Sequence, residues 1–179
     1  MNKRLKVFSI ALATSLTTFL FSATASAGDG AKGNIVAAAV NSEDHQTLVA
    51  AVKAAGLVDT LASKGPFTLL APTDAAFARL PAGTLDGLLQ PLNREKMRAV
   101  LTYHVVPGEV TSASLVESIR KNGGETTLKT VQGGTLTARL SGGSVVLTDA
   151  AGGTATVTTA DLIQSNGIIH VTDAVSLPM

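Results

Sequence analysis

Three histidines, His45, His104 and His170, are the residues best suited to acid–base or metal chemistry in this chain. No two have the H-x-x-x-H or H-E-x-x-H spacing that sets paired imidazoles on one helix face. A structural role is therefore expected for each. His45 stands near a helix start and is expected to be exposed. His104 and His170 sit among apolar residues, in Tyr103-His104-Val105-Val106 and Ile168-Ile169-His170-Val171. Buried there, each needs a hydrogen-bond partner, because an unsatisfied buried polar group costs about 1–3 kcal/mol. Ser165, His170 and Asp173 have the residue types of a hydrolase. Side chains alternate along a strand, however, so positions 170 and 173 point to opposite faces. Ser144 follows Gly142-Gly143 but lacks the closing glycine of a G-x-S-x-G turn. Nucleophilic catalysis needs a base within reach of its nucleophile, and neither pattern supplies one.

The elements that position these residues divide into a helical half and a strand-rich half. Asn34 is a helix N-cap for a short Ala-rich stretch to Val40. Leu48, Val52 and Ala55 recur at helical spacing, and Gly56 suits a C-terminal cap. Val58 to Ala62 makes one further turn. Phe67 to Ala71 reads as a strand closed by Pro72, after which Thr73 caps a turn carrying Phe77 and Leu80. Leu85, Leu88, Leu89 and Leu92 form a helical stripe that Pro91 limits. Asn93 is expected to cap the next helix, with Met97, Val100 and Leu101 on its apolar side. A short helix from Ser112 to Arg120 ends at Asn122-Gly123-Gly124. The period then changes to two. Leu136, Ala138 and Leu140 alternate with polar residues, Ser141-Gly142-Gly143 turns the chain, and Val145 to Leu147 leads back. Ala155, Val157 and Thr159 define another strand. Asn166-Gly167 is a tight-turn signal before a last strand, Ile168 to Val171.

Residues 1–27 read as a secretory signal peptide. Lys3, Arg4 and Lys6 start it, an apolar run follows from Val7 to Phe21, and Ala25-Ser26-Ala27 is a small-x-small cleavage site. The run is too short to span a bilayer as a helix, which takes about 20 residues. No Cys follows it, so a lipid anchor has no residue to modify, and no membrane anchor is expected. The three basic residues of the leader belong to the 14 in the chain, leaving 11 against 13 acidic ones and a net charge of −2. That balance, with aromatic residues at 3%, gives no electrostatic or stacking case for nucleic acid. Residues 28–33 form a Gly-rich polar arm, expected to be flexible. The remainder fits one domain, large enough to bury about 70% of its unfolded surface. The absence of Cys excludes disulfides and thiolate metal sites.

Three segments occur in a telling order: Gly65-Pro66-Phe67-Thr68-Leu69-Leu70-Ala71-Pro72-Thr73-Asp74-Ala75-Ala76-Phe77, then Leu101-Thr102-Tyr103-His104-Val105-Val106-Pro107-Gly108, then Ser165-Asn166-Gly167-Ile168-Ile169-His170-Val171-Thr172-Asp173-Ala174-Val175. They resemble the first motif, the Tyr-His motif and the second motif of the fasciclin (FAS1) family. The resemblance covers Asn34 to Pro178 and implies that residues 34–179 form one FAS1 domain. Its fold would be α+β: a β-sandwich or wedge of mostly antiparallel strands, with helices packed along one edge. The resemblance makes Thr73, Asp74, Phe77, Asn166, Gly167 and His170 structural landmarks, and His104 another. Asp74 stands where the family often has Asn, and the pair Thr73-Asp74 is read as helix capping. Tyr103 is expected to be a half-buried ring with a hydrogen-bonded hydroxyl; with His104 it is also a candidate binding residue. Asp161-Leu162 matches the position of an Asp-Ile pair implicated in integrin binding by animal FAS1 domains, with Leu in place of Ile. An exposed Asp161 would complete a receptor's metal coordination; otherwise it starts a turn.

The implied function is that of an exported interaction module, adhesive or binding, acting in the periplasm or outside the cell. Its partner would be a cell-surface or matrix protein or a polysaccharide. It would act as a monomer without cofactor, metal or catalysis. A carrier of a small apolar ligand or lipid is the alternative and requires a sizeable pocket. An envelope hydrolase is a further one.

Overall fold

The computed structural model describes residues 33–178. The predicted leader and the arm as far as residue 32 lie outside the described residues. The helical half begins with α1 (Ile35–Val40), where Asn34 Oδ1 accepts the Ala37 N–H at 2.8 Å. A short 3-10 turn (Glu43–His45) leads into α2 (Gln46–Ala55). That helix buries Leu48, Ala51, Val52 and Ala55 and stops at Gly56, whose φ of +67° no β-carbon hinders. Next come α3 (Val58–Ala62), β1 (Phe67–Pro72), α4 (Asp74–Ala78) and α5 (Thr84–Leu89). α6 (Arg94–Tyr103), β2 (Val105–Pro107) and α7 (Ser112–Lys121) complete this half. The strand-rich half holds β3 (Glu125–Lys129), β4 (Thr135–Ser141), β5 (Ser144–Thr148), β6 (Thr154–Gln164) and β7 (Gly167–Thr172).

The strands form one continuous sheet in the order β2-β1-β7-β6-β5-β4-β3. All neighbours are antiparallel except β1 and β7, which run parallel with Leu69 opposite Ile169. Two segments a hundred residues apart in sequence thus lie side by side. The sheet folds on itself, and its far edges approach: the Val131 N–H after β3 donates to Val105 O of β2 at 2.7 Å. The result is a wedge. Leu69, Ala71 and Ile169 face a helical core with Leu48, Val52, Phe77 and Met97. Leu70 faces a second core inside the wedge, with Tyr103, Ile119, Leu136 and Leu147. Burial on both faces is why β1 and β7 read as mostly apolar runs, with Thr68 and His170 as buried polar members, rather than as alternating ones.

Four local expectations change. Leu92 leaves the leucine stripe: α5 ends at Leu89, Pro91 starts a 3-10 turn, and Leu92 is 98% exposed. Asn93 makes no cap; its Nδ2 donates to Gly87 O at 2.7 Å instead. The last tight turn is centred on Ser165-Asn166, because Gly167 already pairs with Gln164. A β-carbon on Gly167 would overlap the Phe67 carbonyl, so close strand approach is what demands glycine there. His45 is 7% exposed, buried where the 3-10 turn packs among α1, α2 and α4 and not at the surface as expected.

Candidate functional site

His170, at the middle of β7, is buried and uses both ring nitrogens. Nε2 lies 2.7 Å from Val110 O, and Nδ1 accepts the Asp161 N–H at 3.3 Å. A carbonyl only accepts, so Nε2 carries the proton and Nδ1 supplies the lone pair. No lone pair remains to act as a base. Ser165 lies in the turn between β6 and β7, and Asp173 is engaged elsewhere: its Oδ1 accepts the Thr156 N–H at 2.6 Å. Asp173 also faces Arg79 at 3.8 Å.

Asp161 sits in an irregular part of β6, within the second of two shifts of register against β7. It has φ +59°, which short polar side chains tolerate better than most. Its carboxylate accepts the Ser112 N–H at 2.8 Å and the Ser112 hydroxyl through Oδ2. Ser112 is the first residue of α7, so Asp161 places a negative charge at that helix's positive end. Burial alone would raise the Asp161 pKa. The two bonds from Ser112 outweigh it and hold the carboxyl below its ordinary value. Ser112 is a residue that sequence reasoning missed. Thr111-Ser112 signals a helix start, but nothing local says that its partner lies 49 residues away.

Tyr103 and His104, the other candidate binding residues, lie in the core. Tyr103 is fully buried, not half-buried, because the inner core closes over its whole ring. Its hydroxyl donates to Thr135 O at 2.6 Å and accepts the Ala150 N–H at 3.1 Å, tying α6 to the start of β4 and to the turn after β5. Burial, the chief influence, raises its pKa above 10.0. His104 Nδ1 donates to Val100 O at 2.8 Å, and Nε2 accepts the Ser176 N–H at 3.0 Å. Neither side chain reaches the protein surface.

The remaining landmarks join elements. Thr73 Oγ1 accepts the Ala76 N–H at 3.2 Å, as a cap should. Asp74 caps a different helix from its own: its carboxylate accepts the Thr47 N–H at 2.7 Å and the Gln46 N–H at 3.2 Å, at the start of α2. Burial pushes its pKa up, but those bonds and the nearby His45 pull it below the ordinary value. Phe77 fills the helical core. Asn166 accepts from Ile35 N–H at 2.9 Å and donates to Leu61 O at 2.7 Å and Ser63 O at 2.9 Å, locking the β6–β7 turn to α1 and α3.

What faces solvent lies next to Asp161. Leu162 is 40% exposed and Ile163 47%, on opposite faces of β6, paired with buried Ile169 and Ile168. Leu162 borders an apolar groove of about 220 Å³ that also touches Ala38, Ile169 and His45. His45 Nδ1 is 2.7 Å from Ser42 Oγ, and its buried Nε2 has no hydrogen-bond partner among the described residues. An apolar hollow of about 160 Å³ lies between α1, α2 and α3. That is below the roughly 300–1,000 Å³ of small-molecule sites. Among the described residues, no three His, Asp or Glu side chains gather to hold a metal. No helix of the described residues is long and apolar enough to cross a membrane.

The Fasciclin domain model matches residues 43–178. The chain is 43% identical over 169 residues to the Synechocystis protein sll1483, spanning 94% of this chain and 87% of that one. It is 34% identical over 149 residues to the immunogenic protein MPB70 of Mycobacterium bovis, spanning 80% and 68%. A solved FAS1 domain pair from the insect cell adhesion molecule Fasciclin I superposes with a TM-score of 0.58. At 24% identity, over 73% of this chain and 44% of that one, this match shows a common fold. The chain belongs to the fasciclin domain family.

Proposed function

We propose that the chain is an exported interaction module that binds a cell-surface or matrix protein or a polysaccharide, and that it works without catalysis. Its place is the periplasm or the cell exterior, and it acts as a monomer. The observation that carries this reading is the exposure of Leu162 and Ile163, apolar side chains on the two faces of β6 next to Asp161. His104 and His170 have both ring nitrogens engaged by backbone groups, which supports binding over hydrolysis. The origin of the insect domain pair, a cell adhesion molecule, points the same way. Completing the burial of two half-exposed apolar side chains contributes about 2 kcal/mol in all. One copy therefore binds weakly, and clustering would multiply its strength.

Asp161 is a poor test residue, because removing it uncaps α7 as well as altering the surface. The exposed pair is better. Immobilised residues 28–179 should retain a component of the source cell's envelope fraction, and the double variant Leu162→Asn/Ile163→Asn should retain much less of it. Equal retention by an equally stable variant would remove this surface from the reading. No retention by the unaltered protein would remove the binding function itself.

A further inference from the structure

β6 is 11 residues long, yet only Thr154, Ala155 and Thr156 pair with β5. From Val157 to Gln164 its one strand neighbour among the described residues is β7. The outer edge of that stretch presents backbone N–H and C=O groups with no ladder partner, a template for a further strand. Burial agrees: Thr158, Thr159, Ala160, Leu162 and Ile163 are all exposed. Where β5 and β6 part, a cleft of about 340 Å³ opens, walled by Val145 on β5, Val157 and Ala160 on β6, and Leu115 and Val116 on α7. No charged residue occurs from Thr154 to Ala160.

We propose that this edge receives an extended, uncharged peptide segment of a partner protein. The segment pairs with β6 through backbone hydrogen bonds and seats an apolar side chain in the cleft. This inference rests on the reading of the chain as a binding module and names the class of its partner. Strand addition divides the work: main-chain bonds give affinity, and the pocket for alternate side chains gives selectivity. A flexible segment suits the edge better than a second copy of this chain. Register shifts between Val157 and Thr159 and between Thr159 and Leu162 kink the strand. Kinks of that kind resist flat edge-to-edge pairing of folded sheets. α7 and the β4–β5 turn also flank the cleft, which leaves entry for a single chain.

The test uses two peptides on ¹⁵N-labelled residues 28–179. One is acetyl-Thr-Val-Thr-Val-Thr-Val-amide; the other is the same peptide N-methylated at every Val. The second keeps the apolar side chains and loses alternate backbone donors. Saturating amounts of the first should slow amide exchange within Val157–Gln164 about tenfold, and the second should bind about tenfold more weakly. The exposed variant Ala160→Lys, which puts a charge on the edge, should weaken the first peptide by a similar factor. Equal affinities, no binding, or shifts confined to residues outside this stretch would overturn the proposal. So would edge protection that grows with protein concentration in the absence of peptide, which would assign the edge to a second copy. The peptide assay contains no envelope material. Its failure therefore leaves the retention experiment standing, and failed retention beside successful peptide binding would count against the broader reading alone.

Discussion

Replacing His104 by glutamine isolates one buried titration. His104 is 2% exposed, donates from Nδ1 to Val100 O and accepts the Ser176 N–H at Nε2. Only the neutral ring can do both, because a protonated ring would set a second N–H against the Ser176 donor. Burial is the dominant influence and lowers its pKa below the ordinary 6.5, against the opposing pull of the Val100 carbonyl and Asp149. The unfolded chain therefore takes up this proton near pH 6.5, whereas the folded chain does not. The contribution to stability is complete above that pH. It falls below it by up to about 1.4 kcal/mol per pH unit, until the folded-state value is reached. Glutamine has a donor for Val100 and an acceptor for Ser176, and it does not titrate. His104→Gln should cost about 1–2 kcal/mol at neutral pH through altered packing, and its deficit should shrink as pH falls from about 6.5 to 5. Urea unfolding of both proteins across that range measures it. Every other titrating group is common to the two and cancels in the difference. A deficit that stays constant with pH would refute the assigned wiring.

Two further predictions concern the backbone. Asp161→Asn keeps a side chain suited to positive φ and an acceptor for the Ser112 N–H, and should cost about 1 kcal/mol. Asp161→Ala keeps the strain and loses the cap, and should cost about 2–3 kcal/mol; thermal unfolding that ranks the two equal would contradict this. Gly167→Ala forces a β-carbon into the Phe67 carbonyl. It should cost about 3 kcal/mol or more, and unfolding with an unchanged midpoint would deny the tight β1–β7 contact.

Much of the architecture is legible before any coordinates. The Asn34 cap, the Gly56 stop, the helix beginning at Ser112 and the Gly142-Gly143 hairpin all lie where their local chemistry indicates. Each depends on groups within about four residues of one another, so the chain carries the whole cause. The landmark residues are legible too, as residues that matter. Their tasks are less so. Asp74 reads as belonging to its own helix and serves α2, 27 residues earlier. Tyr103 reads as half-buried because a lone Tyr at a helix end usually is, and here the inner core encloses it.

The sequence by itself determined where most of the helices and the β4–β5 hairpin begin, that no disulfide forms, and which residues mark its family. Only the tertiary structure decided that β1 and β7 run parallel, that Asp161 holds the start of α7, that His45 is buried, and that β6 keeps an open edge. The reason is physical. Turn and cap chemistry acts across a few bonds, whereas burial and long-range hydrogen bonding depend on which distant segment arrives alongside.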